Sequence, residues 1–348
     1  MIGEKKRILW VDIAKAFAIL SVIISHTLNI DMMARTMMFS IHMPLFFILS
    51  GFTTKLATTK AEFKKRLLKN IKTCIIPTLV VLIIFAILGS FIQTASPVVE
   101  PNGFSVIFQN IRATFKDFFI DIYPRGLVNA SAVWFLIALF GAKTILDLVN
   151  ITFKSEKNGI IAFILGAIGI CMGVFDRRLT CFIDLMFVAA MFMEVGILWR
   201  RYEKVIKKYT PILLVVAGFY WFSQTMRGVY LELWIHFYAG YEVSILTAIA
   251  GSFLVANLAM MLEEGLTKAS TILKKGISAL VFLGKNTMLL YLVHCLDTSL
   301  FFYLWDFRDG VSNKRLYLFV IVRLAVDLGL FFMLYFLKKV VFSRGKKH

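Results

Sequence analysis

The chain alternates long apolar runs with short polar segments from beginning to end. The apolar runs are about 17–25 residues long, which is the length a helix needs to cross a bilayer. They lie at residues 8–29, 37–54, 73–94, 130–149, 159–176, 180–199, 210–226, 243–262, 279–304 and 316–337. This pattern predicts an all-α, polytopic integral membrane protein with about ten transmembrane helices, forming a single domain over residues 1–348.

Basic residues are divided unevenly between the polar segments. If the N-terminus is cytoplasmic, the inner segments hold 25 of the 39 Lys and Arg residues and the outer segments hold 10. Cytoplasmic loops carry such an excess, so the distribution predicts an N-in and C-in topology. It also accounts for the net charge of +18 without a nucleic-acid partner, for which no binding motif occurs.

The first two runs contain polar side chains that a lipid-facing helix has no reason to keep. Asp12, Lys15 and His26 lie on the first, and His42 and Ser50 lie on the second. Ionisable groups inside spans usually face a cavity, a partner or a pathway. At about 100° per residue, Lys15 and His26 share one helix face and lie roughly 16 Å apart along the axis. The first span therefore predicts a polar stripe that joins the two membrane surfaces.

Three of the five histidines fall at a similar outer depth on three different spans. They are His26, His42 and His294. This coincidence predicts a shared polar cavity. Asp297 follows His294 by three residues, which permits a hydrogen bond, and Arg323 and Asp327 have the i, i+4 spacing of an ion pair within the last span.

Segment 55–72 is basic and amphipathic. It predicts an interfacial helix on anionic lipid, and its Lys65, Arg66 and Lys69 also suit a phosphate-bearing ligand. Both interpretations are compatible. Residues 104–122 have helical periodicity and predict a helix on the outer surface.

The other outer segments leave two interpretations open at each candidate residue. Trp134 is either an interfacial anchor or a platform for a sugar ring. Arg177 and Arg178 either pair with Asp176 and Asp184 or bind an anionic substrate. Glu232 lies among aromatic residues that suit either a bilayer interface or sugar recognition.

Several kinds of chemistry lack a motif in this sequence. It has no phosphate-binding loop, no GxGxxG, no HExxH and no GxSxG, and no metal-ligand spacing occurs. The four cysteines fall in apolar runs, where we interpret them as small buried hydrophobes. We therefore expect no metal, and the remaining chemistry is proton transfer or nucleophilic attack by an imidazole.

Five blocks of sequence point to a known family. They read RILWVDIAKAFAILSVIISH, FSIHMPLFFILSGF, KKRLLKNIKTCIIP, WFLIALF and FLGKNTMLLYLVH. In this order they resemble the membrane acyltransferase family 3, in particular its fucose 4-O-acetylase-like branch of polysaccharide O-acetyltransferases. The family has Arg, ten residues and His in the first span, whereas this chain has Lys15, ten residues and His26. Lysine keeps the charge but loses the bidentate fork of arginine.

The resemblance implies an enzyme of the bacterial cytoplasmic membrane. It would move an acetyl group from cytoplasmic acetyl-CoA to a hydroxyl of a cell-surface glycan or a lipid-linked oligosaccharide. His26 would act as a general base or a transient acyl carrier, with Lys15 and Asp12 beside it in the catalytic stripe. Lys15, Lys65, Arg66 and Lys69 would hold the donor. The expected cavity or substrate residues are His42, Ser50, Trp134, Arg177, Arg178, Glu232 and His294.

Two other functions remain open at this point. A transporter or flippase for a sugar, amino acid or lipid-linked precursor would use the same histidines as proton relays, but no clear inverted repeat occurs. A scaffold for polysaccharide assembly would have no use for Lys15 and His26, whose burial is costly. We expect contact with membrane lipid, and homo-oligomerisation is left open.

Overall fold

Helices make up nearly all of the structure. The computed structural model describes residues 7–29, 31–94, 103–121, 133–154, 158–266, 269–300 and 313–344, and the statements below concern these residues. Their only strands are the two-residue pair β1 (Leu231–Glu232) and β2 (Phe237–Tyr238), which form an antiparallel hairpin. The predicted all-α class is confirmed.

The first seven helices are α1 (Leu9–Ser25), α2 (Met33–Phe39), α3 (His42–Thr53), α4 (Lys60–Asn70), α5 (Ile76–Thr94), α6 (Gly103–Lys116) and α7 (Trp134–Phe153). The others are α8 (Asn158–Val174), α9 (Ile183–Arg201), α10 (Glu203–Met226), α11 (Glu242–Gly265), α12 (Thr271–Lys285), α13 (Thr287–Leu300) and α14 (Asn313–Arg344). Helix α6, continued by a π-helical turn at Asp117–Asp121, lies where the sequence predicts a helix at 104–122.

Helix α1 lies at the centre of the bundle. It packs against α3, α11, α12, α13 and α14, and most of its side chains are buried. Its sequence contains neither Gly nor Pro, so nothing interrupts the helix. Its polar stripe therefore faces other helices rather than lipid.

Seven helical stretches are long and apolar enough to cross a membrane when α2 is counted with α3 and α4 with α5, or eight if the bent pair of α12 and α13 is one span. Helices α1 and α8 are shorter, at 17 residues each. Every predicted span is mostly helical within the described residues, with short breaks near residues 26–29, 40–41 and 286. The protein is therefore a polytopic membrane protein, while the count of ten spans and the N-in, C-in topology stay predictions.

The ninth predicted span is not one straight helix. Helices α12 and α13 meet at a bend of 73°. At the break Asn286 Nδ2 donates to Phe282 O at 2.8 Å, and Thr287 Oγ1 donates to Gly284 O at 3.3 Å. Backbone carbonyls freed by a broken span need such partners inside a membrane.

The basic segment is not a separate surface helix. Helix α4 is capped by Thr59, whose Oγ1 accepts from Glu62 N at 3.2 Å, while the Glu62 carboxylate accepts from Thr58 N at 2.9 Å. This reciprocal capping starts the helix. The chain then runs through a π-helical turn at Ile71–Ile75 directly into α5. The basic residues are therefore held by the third span.

Two glycines bring α3 and α9 into backbone contact. A Cβ at Gly51 would lie 1.8 Å from Met193 O, and one at Gly196 would lie 1.9 Å from Ile48 O. Small residues at such positions let membrane helices approach closely. The contact fixes α3, which carries His42, against the rest of the bundle.

We predict that Gly196→Ala lowers the melting temperature of the purified protein by roughly 5 °C or more, because the added methyl forces α3 and α9 apart. The matched control is Gly329→Ala on α14, where a Cβ meets nothing within 4 Å. A thermal unfolding scan in detergent measures both. Equal melting temperatures for the two variants would contradict this packing.

Candidate active site

The centre of the site is a chain of hydrogen bonds that joins three helices. His26, at the C-terminal end of α1, has its Nδ1 3.2 Å from His294 Nε2 on α13. His294 Nδ1 lies 2.9 Å from Asp327 Oδ2 on α14, and both of these side chains are fully buried. When Asp327 is ionised, it accepts from His294 Nδ1–H, and His294 Nε2 then accepts from His26 Nδ1–H. This assignment leaves Nε2 of His26 as the basic nitrogen.

An arginine fixes the end of α1 that carries this imidazole. Arg323 Nε donates to Asp297 Oδ2 at 2.7 Å, and its Nη1 donates to His26 O at 3.2 Å and to Thr27 Oγ1 at 3.3 Å. The last carbonyls of a helix lack partners within it, and a cation is favoured there. Arg323 thus holds the backbone of His26 in place.

Two pairings expected from sequence are wrong. Arg323 pairs with Asp297 rather than with Asp327, and His294 bonds to Asp327 rather than to Asp297. Helices α13 and α14 pack side by side. Each of these polar side chains therefore bonds to a residue of the other helix rather than to a neighbour on its own helix. His294, Asp297 and Asp327 place one ligand atom each within 4.8 Å of one another, but the Arg323 guanidinium already supplies a positive charge there.

The third histidine shares the same pocket. The ring of His42 packs edge to face with that of His26, with 6.2 Å between centroids. Its Nδ1 lies 2.7 Å from Met38 O. The Phe39 ring lies against both, at 5.6 Å from His26 and 4.8 Å from His42. The structure thus brings the three histidines of similar predicted depth together.

The other end of the α1 stripe is basic. Lys15 is half-buried, and Lys143 on α7 is half-buried and close enough for their charges to interact. Neither ammonium has a hydrogen-bond or ion-pair partner in the described part of the chain. The charges of Arg66 and Lys69 reach Lys143. Sequence reasoning missed Lys143, although a lone lysine inside an apolar run was a usable signal.

The expected donor residues on α4 have different environments. Arg66 Nε donates to the buried Asp147 Oδ2 at 2.7 Å. Asp147 Oδ1 also accepts from Ala57 N at 2.9 Å. Lys65 and Lys69 are exposed. Arg66 is therefore held against α7, beside Lys143, while the two lysines face outward.

Asp12, Ser50 and Trp134 do not meet the histidines. The Asp12 carboxylate forms two hydrogen bonds with Arg7, at 2.5 and 3.0 Å. Ser50 is half-buried on α3. Trp134 is buried beside Phe135, which does not suit the interfacial anchor, one of the two interpretations left open at this position.

The outer candidates surround the hairpin. Arg177 is exposed, while Arg178 donates to Ile235 O at 3.0 Å and pairs with Asp176 at 3.4 Å. Asp184 contacts His236 Nε2 at 3.1 Å. Burial and the charge of Arg178 lower the pKa of His236 to about 4, so the imidazole beside Asp184 is neutral. This pair holds the hairpin to α9.

A family model described as an acyltransferase domain matches residues 8–338. The chain belongs to acyltransferase family 3. Its apolar helices and this membership make it a membrane acyltransferase. No curated protein and no solved structure shows significant similarity to the chain.

We predict that Asp297→Asn destabilises this acyltransferase by about 3 kcal/mol or more, because it removes the carboxylate that is paired with the buried Arg323. The control is Asp176→Asn, since Asp176 is 82% exposed and such a pair contributes little. Chemical or thermal unfolding in lipid nanodiscs measures both variants. An unchanged Asp297→Asn protein would show that the ion pair is not needed to balance the Arg323 charge.

Proposed function

We propose that the protein is a membrane O-acetyltransferase of the fucose 4-O-acetylase-like branch. It takes acetyl-CoA from the cytoplasm at the Lys15 end of α1. It transfers the acetyl group at the His26 end to a hydroxyl of a cell-surface glycan or lipid-linked oligosaccharide. The observation that carries this proposal is the hydrogen-bonded chain of His26, His294 and Asp327.

In the proposed reaction, Nε2 of His26 removes the proton from the acceptor hydroxyl. The oxygen then bonds to the acyl carbon, the carbon–sulfur bond breaks, and the imidazolium returns the proton to the thiolate of CoA. Asp327 stabilises the imidazolium through His294, as a buried carboxylate does in other His-dependent acyl transfers. If the acyl group first rests on His26, Nε2 is again the reacting atom because Nδ1 is engaged by His294.

The donor phosphates fit the basic end of the site. Lys15 and Lys143 have no partner among the described residues, and their burial favours an anion over water. Arg66 and Lys69 add positive charge beside them, and Lys65 lies exposed on α4 where the donor would enter. The pantetheine arm would then follow α1 for roughly 16 Å towards His26. The membrane in question is the bacterial cytoplasmic membrane, with the N-terminus inside.

We predict that His26→Ala abolishes acetyl-CoA turnover, and that Asp327→Asn lowers kcat about 10²–10⁴-fold because it disturbs the tautomer of the chain. The control is Asp31→Asn, an exposed carboxylate, which should keep wild-type kcat. Release of CoA thiol by nanodisc protein measures all three. A wild-type protein that neither binds nor consumes acetyl-CoA, but moves a sugar into vesicles, would favour the transporter.

We also predict that Lys143→Met and Lys15→Met each raise the KM for acetyl-CoA about tenfold or more, since each removes a cation that meets phosphate. The matched control is Lys275→Met on α12, an exposed lysine. Initial rates over a range of acetyl-CoA concentrations separate KM from kcat. An unchanged KM in both variants would place the donor elsewhere.

A further inference from the structure

Arg35 is a buried arginine that sequence reasoning did not single out. It lies on α2, and its Nη2 donates to Glu232 Oε2 on the hairpin at 3.1 Å. The Arg35 side chain is only 11% exposed and that of Glu232 is 21% exposed. Nη1 of Arg35 is buried and has no hydrogen-bond partner in the described part of the protein. A buried donor without an acceptor is costly, so this nitrogen suits a ligand oxygen.

The guanidinium lies on the same aromatic ring as the proposed catalytic base. Its Cζ is 3.9 Å from the Phe39 centroid and 5.6 Å from the Tyr230 centroid. The Phe39 ring also packs against the rings of His26, His42 and Tyr230. A molecule bound at Arg35 is therefore separated from the His26 ring by the Phe39 ring.

The chemistry of the pair selects the kind of ligand. Arg35 and Glu232 together have no net charge, so the pair offers one donor and one acceptor side by side. Adjacent hydroxyls of a sugar ring match this arrangement, because one can accept from Nη1 while the other donates to the carboxylate. A sugar that places a carboxylate where the donating hydroxyl should lie would meet the like charge of Glu232.

An exposed aromatic side chain lies beside this pair. Phe237 is 42% exposed, and its ring packs on Tyr230 with 5.1 Å between centroids. An exposed ring next to buried polar groups offers an apolar face to a ligand that enters from solvent. Arg35, Glu232 and Phe237 thus combine polar selection with an apolar contact.

We propose that Arg35 and Glu232, with Phe237 beside them, form the acceptor subsite and bind an uncharged hexopyranose. The subsite presents a hydroxyl of that sugar to His26. Its place in a reaction rests on the proposed O-acetyltransferase function, but binding of the sugar does not.

The test measures binding to full-length protein in nanodiscs by titration calorimetry, with p-nitrophenyl β-D-glucopyranoside and p-nitrophenyl β-D-glucuronide as probes. Wild type should bind the glucoside more tightly than the glucuronide. Arg35→Met should weaken glucoside binding about tenfold or more, and Glu232→Gln should shift the preference about tenfold towards the glucuronide. Arg227→Met, an exposed arginine of the same segment, should leave both affinities unchanged.

A purely structural Arg35–Glu232 pair would not shift the preference between neutral and acidic sugars. The proposal is overturned if wild type does not bind the glucoside, or if Glu232→Gln leaves the preference unchanged. If Arg35→Met does not fold, Arg35→Lys keeps the charge without the fork and should still lose affinity. If the protein binds the glucoside but does not turn over acetyl-CoA, the O-acetyltransferase proposal fails and the proposed sugar subsite is retained.

Discussion

Burial of ionisable side chains on a central helix is the constraint that organises this protein. An unpaired charge in an apolar bundle is costly, so each such group needs a partner or a use. Helix α1 carries a carboxylate, an ammonium and an imidazole along one stripe. Arg7, just before α1, pairs with the carboxylate of Asp12, and α13 supplies a partner to the imidazole of His26. The ammonium of Lys15 has no partner among the described residues.

The two ends of the stripe differ in whether their polar groups have hydrogen-bond partners within the described part of the protein. At the His26 end, α13 and α14 provide His294, Asp327 and Arg323, which fix both the ring and the backbone of His26. A rigid, pre-paired base suits a chemical step, because its geometry needs no rearrangement. At the Lys15 end, two ammonium groups lie close together without partners among the described residues. Such a site suits a ligand that brings its own negative charge.

The irregular parts of the helices lie where the site is assembled. The bend between α12 and α13 redirects the chain just before His294, and Gly284 lets α12 touch the backbone of α1 at Asp12, since a Cβ there would lie 1.8 Å from Asp12 O. Short α2 carries Arg35 towards the hairpin that supplies Glu232. Because these elements come from distant parts of the chain, the site depends on the whole bundle. The family match likewise extends over residues 8–338.

The sequence by itself determined the helical class, the position of each apolar helix and the polar stripe on α1. Run length and helical periodicity are local properties, and they also show that His26, His42 and His294 fall at one depth. The partners were decided only by the tertiary structure. Arg323 bonds to the carbonyl of His26 although the two residues are 297 positions apart in sequence. Arg35 and Glu232, which also bond, are 197 positions apart. No local pattern encodes which helices become neighbours. Helical periodicity therefore suggested an Arg323–Asp327 pair within α14, whereas in the structure Arg323 and Asp327 each pair with a residue of α13.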